Sequence, residues 1–376
     1  MYDLVLQGGR LIDPSQDIDA TRDIAFADGR VAEVAARIDA PAQEVRDIGG
    51  LIVTPGLIDL HTHVYWGGTS IGIDADTVAG RGGTTTLVDA GSAGPGNFPG
   101  FRRHVIERAP VRILAFLNVS FAGIFAYSRS VMVGECADMR LIDLKECLRT
   151  IRAHRDLIVG VKVRVGRNAS GMNGVAPLDM ALAVAAEAGV PVMAHLDDPP
   201  PSRNEVLSRL RPGDVLTHCF RPFPNAPIRA DGNIWEEVQQ ARNRGVVFDI
   251  GHGMRSFGFP VARGMLAKGF LPDVISSDVH SLNVDGPVYD LLATLSKFYS
   301  LGMDLPALVK TATCAPAAVL GRSDLGTLRP GAAADATVIA IEEGSFDYHD
   351  CFGEVLNAPQ RLACRGIVQG GTWVDV

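Results

Sequence analysis

Six side chains in this sequence have the types and spacing to gather metal ions. His61 and His63 end the apolar run Gly56-Leu57-Ile58-Asp59-Leu60-His61-Thr62-His63. Residues two apart on a strand point the same way, so both imidazoles face one side and Leu60 and Thr62 the other. Two neutral imidazoles on a rigid strand make a half-site for zinc or a similar ion. The Pro55-Gly56 break in front marks the start of a core strand. An unpartnered polar ring would be costly there. Further along, His195, His218 and Asp278 each close an apolar run, and Lys162 lies inside one.

Lys162 sits in Val161-Lys162-Val163-Arg164-Val165. The valines share one face, and Lys162 and Arg164 share the other. Burial favours the neutral amine over the ammonium. A neutral amine reacts with carbon dioxide to form a carbamate, an anionic ligand with two oxygens. Two cations a few ångströms apart need such a shared negative bridge. The plainer reading is a lysine paired with a carboxylate. Arg164 could grip a carboxylate in a bidentate way, or form a salt bridge at the mouth. His280, two beyond Asp278, could orient substrate or support a ligand. His252 lies in the flexible Gly251-His252-Gly253 loop, and Tyr127 and Asn173 lie in long loops; all three are further candidates for binding substrate. His104, His154 and His349 read as solvated or capping residues.

These side chains need a scaffold. Apolar runs at 57–63, 84–90, 111–119, 157–165, 191–195, 214–218, 246–250 and 273–278 alternate with helical stretches, among them 138–154, 177–188, 232–244 and 261–268. Repeated βα units imply a parallel sheet with right-handed connections. Eight of them within 55–320 predict an α/β fold, a closed (β/α)8 barrel of the TIM type, whose usual size is about 250 residues. An open doubly wound sheet would want a Gly-rich loop after its first strand. Barrel sites lie at the C-terminal ends of the strands, which is where the candidates fall. Residues 1–54 and 321–376 are strand-like, with Asp28-Gly29 as a hairpin signal. Neither end can bury a core alone, so the two are expected to pair into one small β-sandwich domain.

The chain has 376 residues, 47% of them apolar, and a net charge of −8. That balance, with no basic stripe, argues against nucleic acid as a partner. No run of 18 apolar residues occurs, so no membrane span is expected. The N-terminus has neither a basic region nor a cleavable apolar segment, and the expected location is the cytoplasm. Six scattered cysteines without a C-x-x-C pair read as reduced thiols. The expected partner is a small-molecule substrate, with homo-oligomer formation left open.

Taken in order, the motifs resemble the amidohydrolase superfamily, in its dihydroorotase-like branch. The matching residues are Pro-Gly-Leu-Ile-Asp-Leu-His-Thr-His at 55–63, Lys162, His195, His218, Asp278 in Ser-Ser-Asp-Val-His, and the tail at 326–336. The resemblance implies two divalent ions, most simply zinc. His61, His63 and Asp278 would hold one, His195 and His218 the other, and a carbamylated Lys162 would bridge them. Asp278 would also move the proton. Two departures narrow the substrate. Dihydroorotases carry an arginine where this chain has Tyr65, and the superfamily's deaminases lack the bridging lysine. The resemblance therefore points to a deacetylase or esterase, cleaving an ester or amide of a small carboxylate-bearing compound such as an O-acetyl 2-hydroxy acid or N-acyl amino acid. Cyclic amide hydrolysis of the dihydroorotase or hydantoinase kind is the alternative. A metal-free interaction protein is the remote one, because all six ligand positions are filled.

Overall fold

Parallel strands form the centre of the computed structural model, which describes residues 1–376. Leu57–Thr62, Thr84–Ala90, Arg112–Asn118, Ile158–Val165, Val192–Leu196, Val215–Leu216 and Val247–Phe248 pair in sequence order as one seven-stranded parallel sheet. An eighth segment closes the circle through single bridges, Asp249 to Val274 and Thr62 to Val279. Ile250 N donates to Val274 O, and His63 N to Val279 O, each at 3.0 Å. The result is a (β/α)8 barrel. The pleat sorts its residues. Ile58, Leu60, Val88, Leu114 and Met193 form one buried cluster, and Leu57, Leu87, Val161 and Val163 belong to another that includes the helices.

The last three strands are shorter than their apolar runs predict. His218 and Asp278 have φ of 63° and 51°, in the left-handed region. That conformation cannot continue a strand, so the chain turns sharply at both residues. His63 also falls just beyond its strand, after a register irregularity between Asp59 and Thr62. The helix expected over 138–154 starts later, at Leu144–Ala153, because Asp143 caps it by accepting from Lys145 N and Glu146 N. The stretch read at 232–244 is helical over Glu236–Asn243.

Strands from both chain ends join in one eight-stranded sheet. Its seam is the antiparallel pairing of Ile52–Pro55 with Ala336–His349. Leu4, Leu6, Phe26, Val53, Val338 and Val368 form its buried cluster. Because Leu57 follows Pro55 after one residue, this sheet anchors the first barrel strand. No helix is long and apolar enough to cross a membrane.

Candidate functional site

A cavity of about 240 Å³ opens at the C-terminal end of the barrel. His61, His63, Lys162, His195, His218 and Asp278 all line it, and all are buried. Asp278 sits at the centre. Its Oδ1 is 3.3 Å from His61 Nε2 and 3.1 Å from His63 Nε2. Its Oδ2 is 4.0 Å from His218 Nε2. Donor atoms of His61, His218 and Asp278 lie within 4.8 Å of one another. The His195 and His218 rings meet edge to face, with centroids 4.5 Å apart.

Hydrogen bonds behind the rings set their tautomers. The Thr217 hydroxyl donates to Asp249 Oδ2 at 2.7 Å, so it can only accept from His61 Nδ1, 2.9 Å away. The Gly251 carbonyl, 2.6 Å from His218 Nδ1, likewise accepts from that ring. Both imidazoles therefore carry the proton on Nδ1 and keep the Nε2 lone pair free, the form that ligates metals. Burial pushes His61 down to about 4, and it holds His195 and His218 well below the ordinary histidine range. His195 Nε2 is buried with no hydrogen-bond partner. A buried, unpartnered ring nitrogen beside free lone pairs and a carboxylate fits a divalent cation, the group these donors are suited to hold.

Lys162 reaches the same centre from the fourth strand. Its Nζ lies 3.2 Å from His61 Nε2 and 3.4 Å from Met193 Sδ. An ammonium has three N–H donors, and an imidazole and a thioether serve them poorly. Burial accordingly lowers Lys162 to about 7. Gly91 has φ of 85°, and a Cβ there would stand 2.6 Å from Lys162 Cγ, so only glycine lets the stem pass.

The expected substrate-binding residues divide. His280 and Tyr127 line the cavity. His280 Nδ1 accepts from Leu282 N at 3.2 Å, leaving Nε2–H as the donor. His252 does not line it. Its ring is fully buried, stacked on Phe257 at 4.6 Å, with Nε2 2.7 Å from Lys297 Nζ. Asn173 also lies elsewhere, tying its loop down by donating to the Cys136 and Ala137 carbonyls at 2.9 Å. Arg164 lines the cavity but is already paired, with Nη1 3.1 Å from Glu135 Oε2. Its guanidinium lies 5.1 Å from the Tyr127 ring centroid. Tyr65 donates to Asn97 O at 3.2 Å and stacks on Phe101, outside the cavity wall.

Sequence reasoning passed over Arg221, Glu135 and the supporting pair Thr217 and Asp249. Arg221 had one signal, its place three residues beyond His218. Glu135 lies in a loop of no recognisable pattern, and only the fold brings it to Arg164.

Comparison with known proteins gives the chain its family. The sequence model of the Amidohydrolase family matches residues 52–208. A deacetylase of Agrobacterium fabrum is 39% identical over 91% of this chain and 84% of its own length. A deacetylase of Enterococcus faecalis is 32% identical over 100% of this chain and 99% of its own. Among solved structures, one described as an adenine deaminase superposes with a TM-score of 0.94 at 32% identity, covering 100% of both chains. One described as a dihydroorotase gives 0.90 at 34% identity, over 100% of this chain and 98% of that one. These names differ in substrate and share a scaffold. An extended match to such relatives, on a barrel whose strand ends bring histidines, a lysine and an aspartate together, makes this chain a member of the amidohydrolase family, hydrolases of C–N or ester bonds.

Proposed function

We propose that the protein is a binuclear metal-dependent hydrolase that cleaves an ester or amide bond of a small carboxylate-bearing substrate, with O-acetyl 2-hydroxy acids and N-acyl amino acids the favoured class. The observation that carries this reading is the carboxylate of Asp278, ringed by His61, His63 and His218 in a cavity that also holds Lys162 and the unpartnered His195. The deacetylase names of relatives 38% and 39% identical support the acyl-removing chemistry.

His61, His63 and Asp278 would hold one ion and His195 and His218 the other. Bound ions of this kind lower the pKa of water from about 15.7 to near 7 and polarise a carbonyl. The remaining work falls to the protein. The Lys162 amine would add to carbon dioxide, forming an N–C bond and releasing one proton to solvent, and the resulting carbamate would supply anionic oxygen ligands for the ions. Asp278 accepts the proton of the attacking water on a carboxylate oxygen and delivers it to the leaving alcohol or amine. Thr217, Asp249 and the Gly251 carbonyl keep His61 and His218 in the ligating tautomer.

The test is elemental analysis combined with a panel of N-acyl amino acids, O-acyl hydroxy acids and cyclic amides. Two ions per chain and turnover of an acyl acid are expected. A stoichiometry that stays near one ion after zinc and bicarbonate are supplied would sink the binuclear reading. Efficient turnover of dihydroorotate or hydantoins alone would sink the substrate class.

A further inference from the structure

Arg164 is the cation nearest Lys162 on the fourth strand, yet its charge is already answered. Glu135 is buried, and its carboxylate accepts from Arg164 Nη1 at 3.1 Å. A substrate carboxylate arriving there would meet a neutralised pair. Arg221 stands differently. It lies three residues beyond His218, at the exit of the sixth strand, and lines the same cavity. The left-handed turn at His218 is closed by Arg221 N donating to His218 O at 3.1 Å. The backbone of Arg221 is thus tied to a proposed metal ligand. Its side chain makes one hydrogen bond, Nη2 to Ser256 Oγ at 2.8 Å, which orients the guanidinium. Its Nε is buried with no partner.

We propose that Arg221, rather than Arg164, binds the substrate's carboxylate, through the Nη N–H groups of its guanidinium. A guanidinium presents five donors in a rigid plane that matches a carboxylate's two oxygens. Here one Nη2 donor is spent on Ser256, and Nη1 makes no hydrogen bond. Asp197 and Asp198 line the same wall, but neither is hydrogen-bonded to Arg221. Asp197 Oδ1 instead accepts from Asn168 N at 3.3 Å. Arg221 lines the same cavity as His195, His218 and Asp278, so an anion held by Arg221 shares that cavity with the proposed reacting centre. This inference rests on the proposed reading that the substrate carries a carboxylate.

The test uses the metal-loaded protein and a matched pair of substrates, an O-acyl hydroxy acid and its methyl ester. Arg221→Met is expected to raise KM for the acid on the order of 10- to 100-fold, with metal content and the ester's KM little changed. Arg221→Lys, which keeps the charge but not the planar guanidinium, should show a smaller loss that is still confined to the acid. Arg164→Met should preserve the preference for the acid. Equal losses for acid and ester in Arg221→Met, or a loss of acid preference in Arg164→Met instead, would overturn the assignment. If Arg221→Met does not fold, an Arg221→Lys protein with unchanged acid-to-ester selectivity would overturn it equally. A wild type that shows no preference for the acid overturns both this inference and the reading beneath it. A wild-type preference that survives in Arg221→Met overturns only the role of Arg221.

Discussion

Gly253→Ala offers a sharp test of how the fold aims Asp278. Gly253 has φ of 56°, and a Cβ there would stand 2.4 Å from Asp278 Oδ2. Ordinary contact begins near 3.4 Å. The loop cannot back away, because His252 N and Gly253 N donate to the Ser276 and Ser277 carbonyls at 3.2 and 3.0 Å. The carboxylate must therefore retreat by about 1 Å, and His61 and His63 already crowd its other oxygen at 3.3 and 3.1 Å. A misplacement of about 1 Å at a reacting group costs on the order of 10²-fold in rate. The left-handed backbone itself adds about 1–2 kcal/mol of strain for a residue with a Cβ. We expect kcat on the best acyl substrate to fall on the order of 10²-fold, with stability reduced by about 1–2 kcal/mol in urea unfolding. Gly269→Ala is the control. It shares the backbone strain, at φ of 71°, but a Cβ there meets nothing within 4 Å, so it should lose stability and keep kcat. A Gly253→Ala protein with wild-type metal content and kcat within twofold of wild type would refute the reasoning.

Other perturbations test separate parts of the site. Asp278→Asn should keep the fold and at least one ion but lose roughly 10²- to 10⁴-fold in kcat, and near-normal turnover would show that another group moves the proton. Lys162→Ala should lose metal and activity together, and propionate added with zinc should restore part of both; elemental analysis and turnover report the two. An unmodified ammonium about 4 Å from a dication is repelled by roughly 8 kcal/mol at an effective dielectric of 20, twice the value for unit charges, so a bare Lys162 amine in a fully metallated, active crystal would refute the bridge. Burial lowers His280 from 6.5 to about 4. Its folded value lies below its unfolded one, so its contribution is whole above pH 6.5 and is lost as pH falls toward 4. The gap corresponds to about 3 kcal/mol. In metal-free protein, His280→Gln should flatten the pH dependence of urea unfolding across that window, and an unchanged slope would show that His280 takes no part in it.

How much of this was legible in the sequence follows from what local pattern encodes. Alternation along apolar strands placed His61, Lys162, His195, His218 and Asp278 at strand positions facing one end of a barrel, because the pleat and the right-handed crossover leave few other arrangements. The His-x-His pair and the lysine between valines carried the expectation of metal chemistry. Backbone turns were not legible. The left-handed conformations of His218 and Asp278 are uncommon for any residue with a Cβ, and although His and Asp adopt them more readily than most, nothing in the apolar runs that they close marks a turn there. Nor could spacing show that the ring of His252 is buried against Phe257 and Lys297, or that the amide of Asn173 is spent on backbone carbonyls. The difference between Arg164 and Arg221 is the clearest case. Both are arginines near strand ends, and their sequence contexts rank Arg164 higher. Which of them is left without an ion pair depends on Glu135, 29 residues before Arg164 and brought to it only by the closed barrel. Sequence determines which chemical groups can face the cavity; the long-range contacts of the tertiary structure decide which of them are already satisfied, because a partner's charge acts through space and not along the chain.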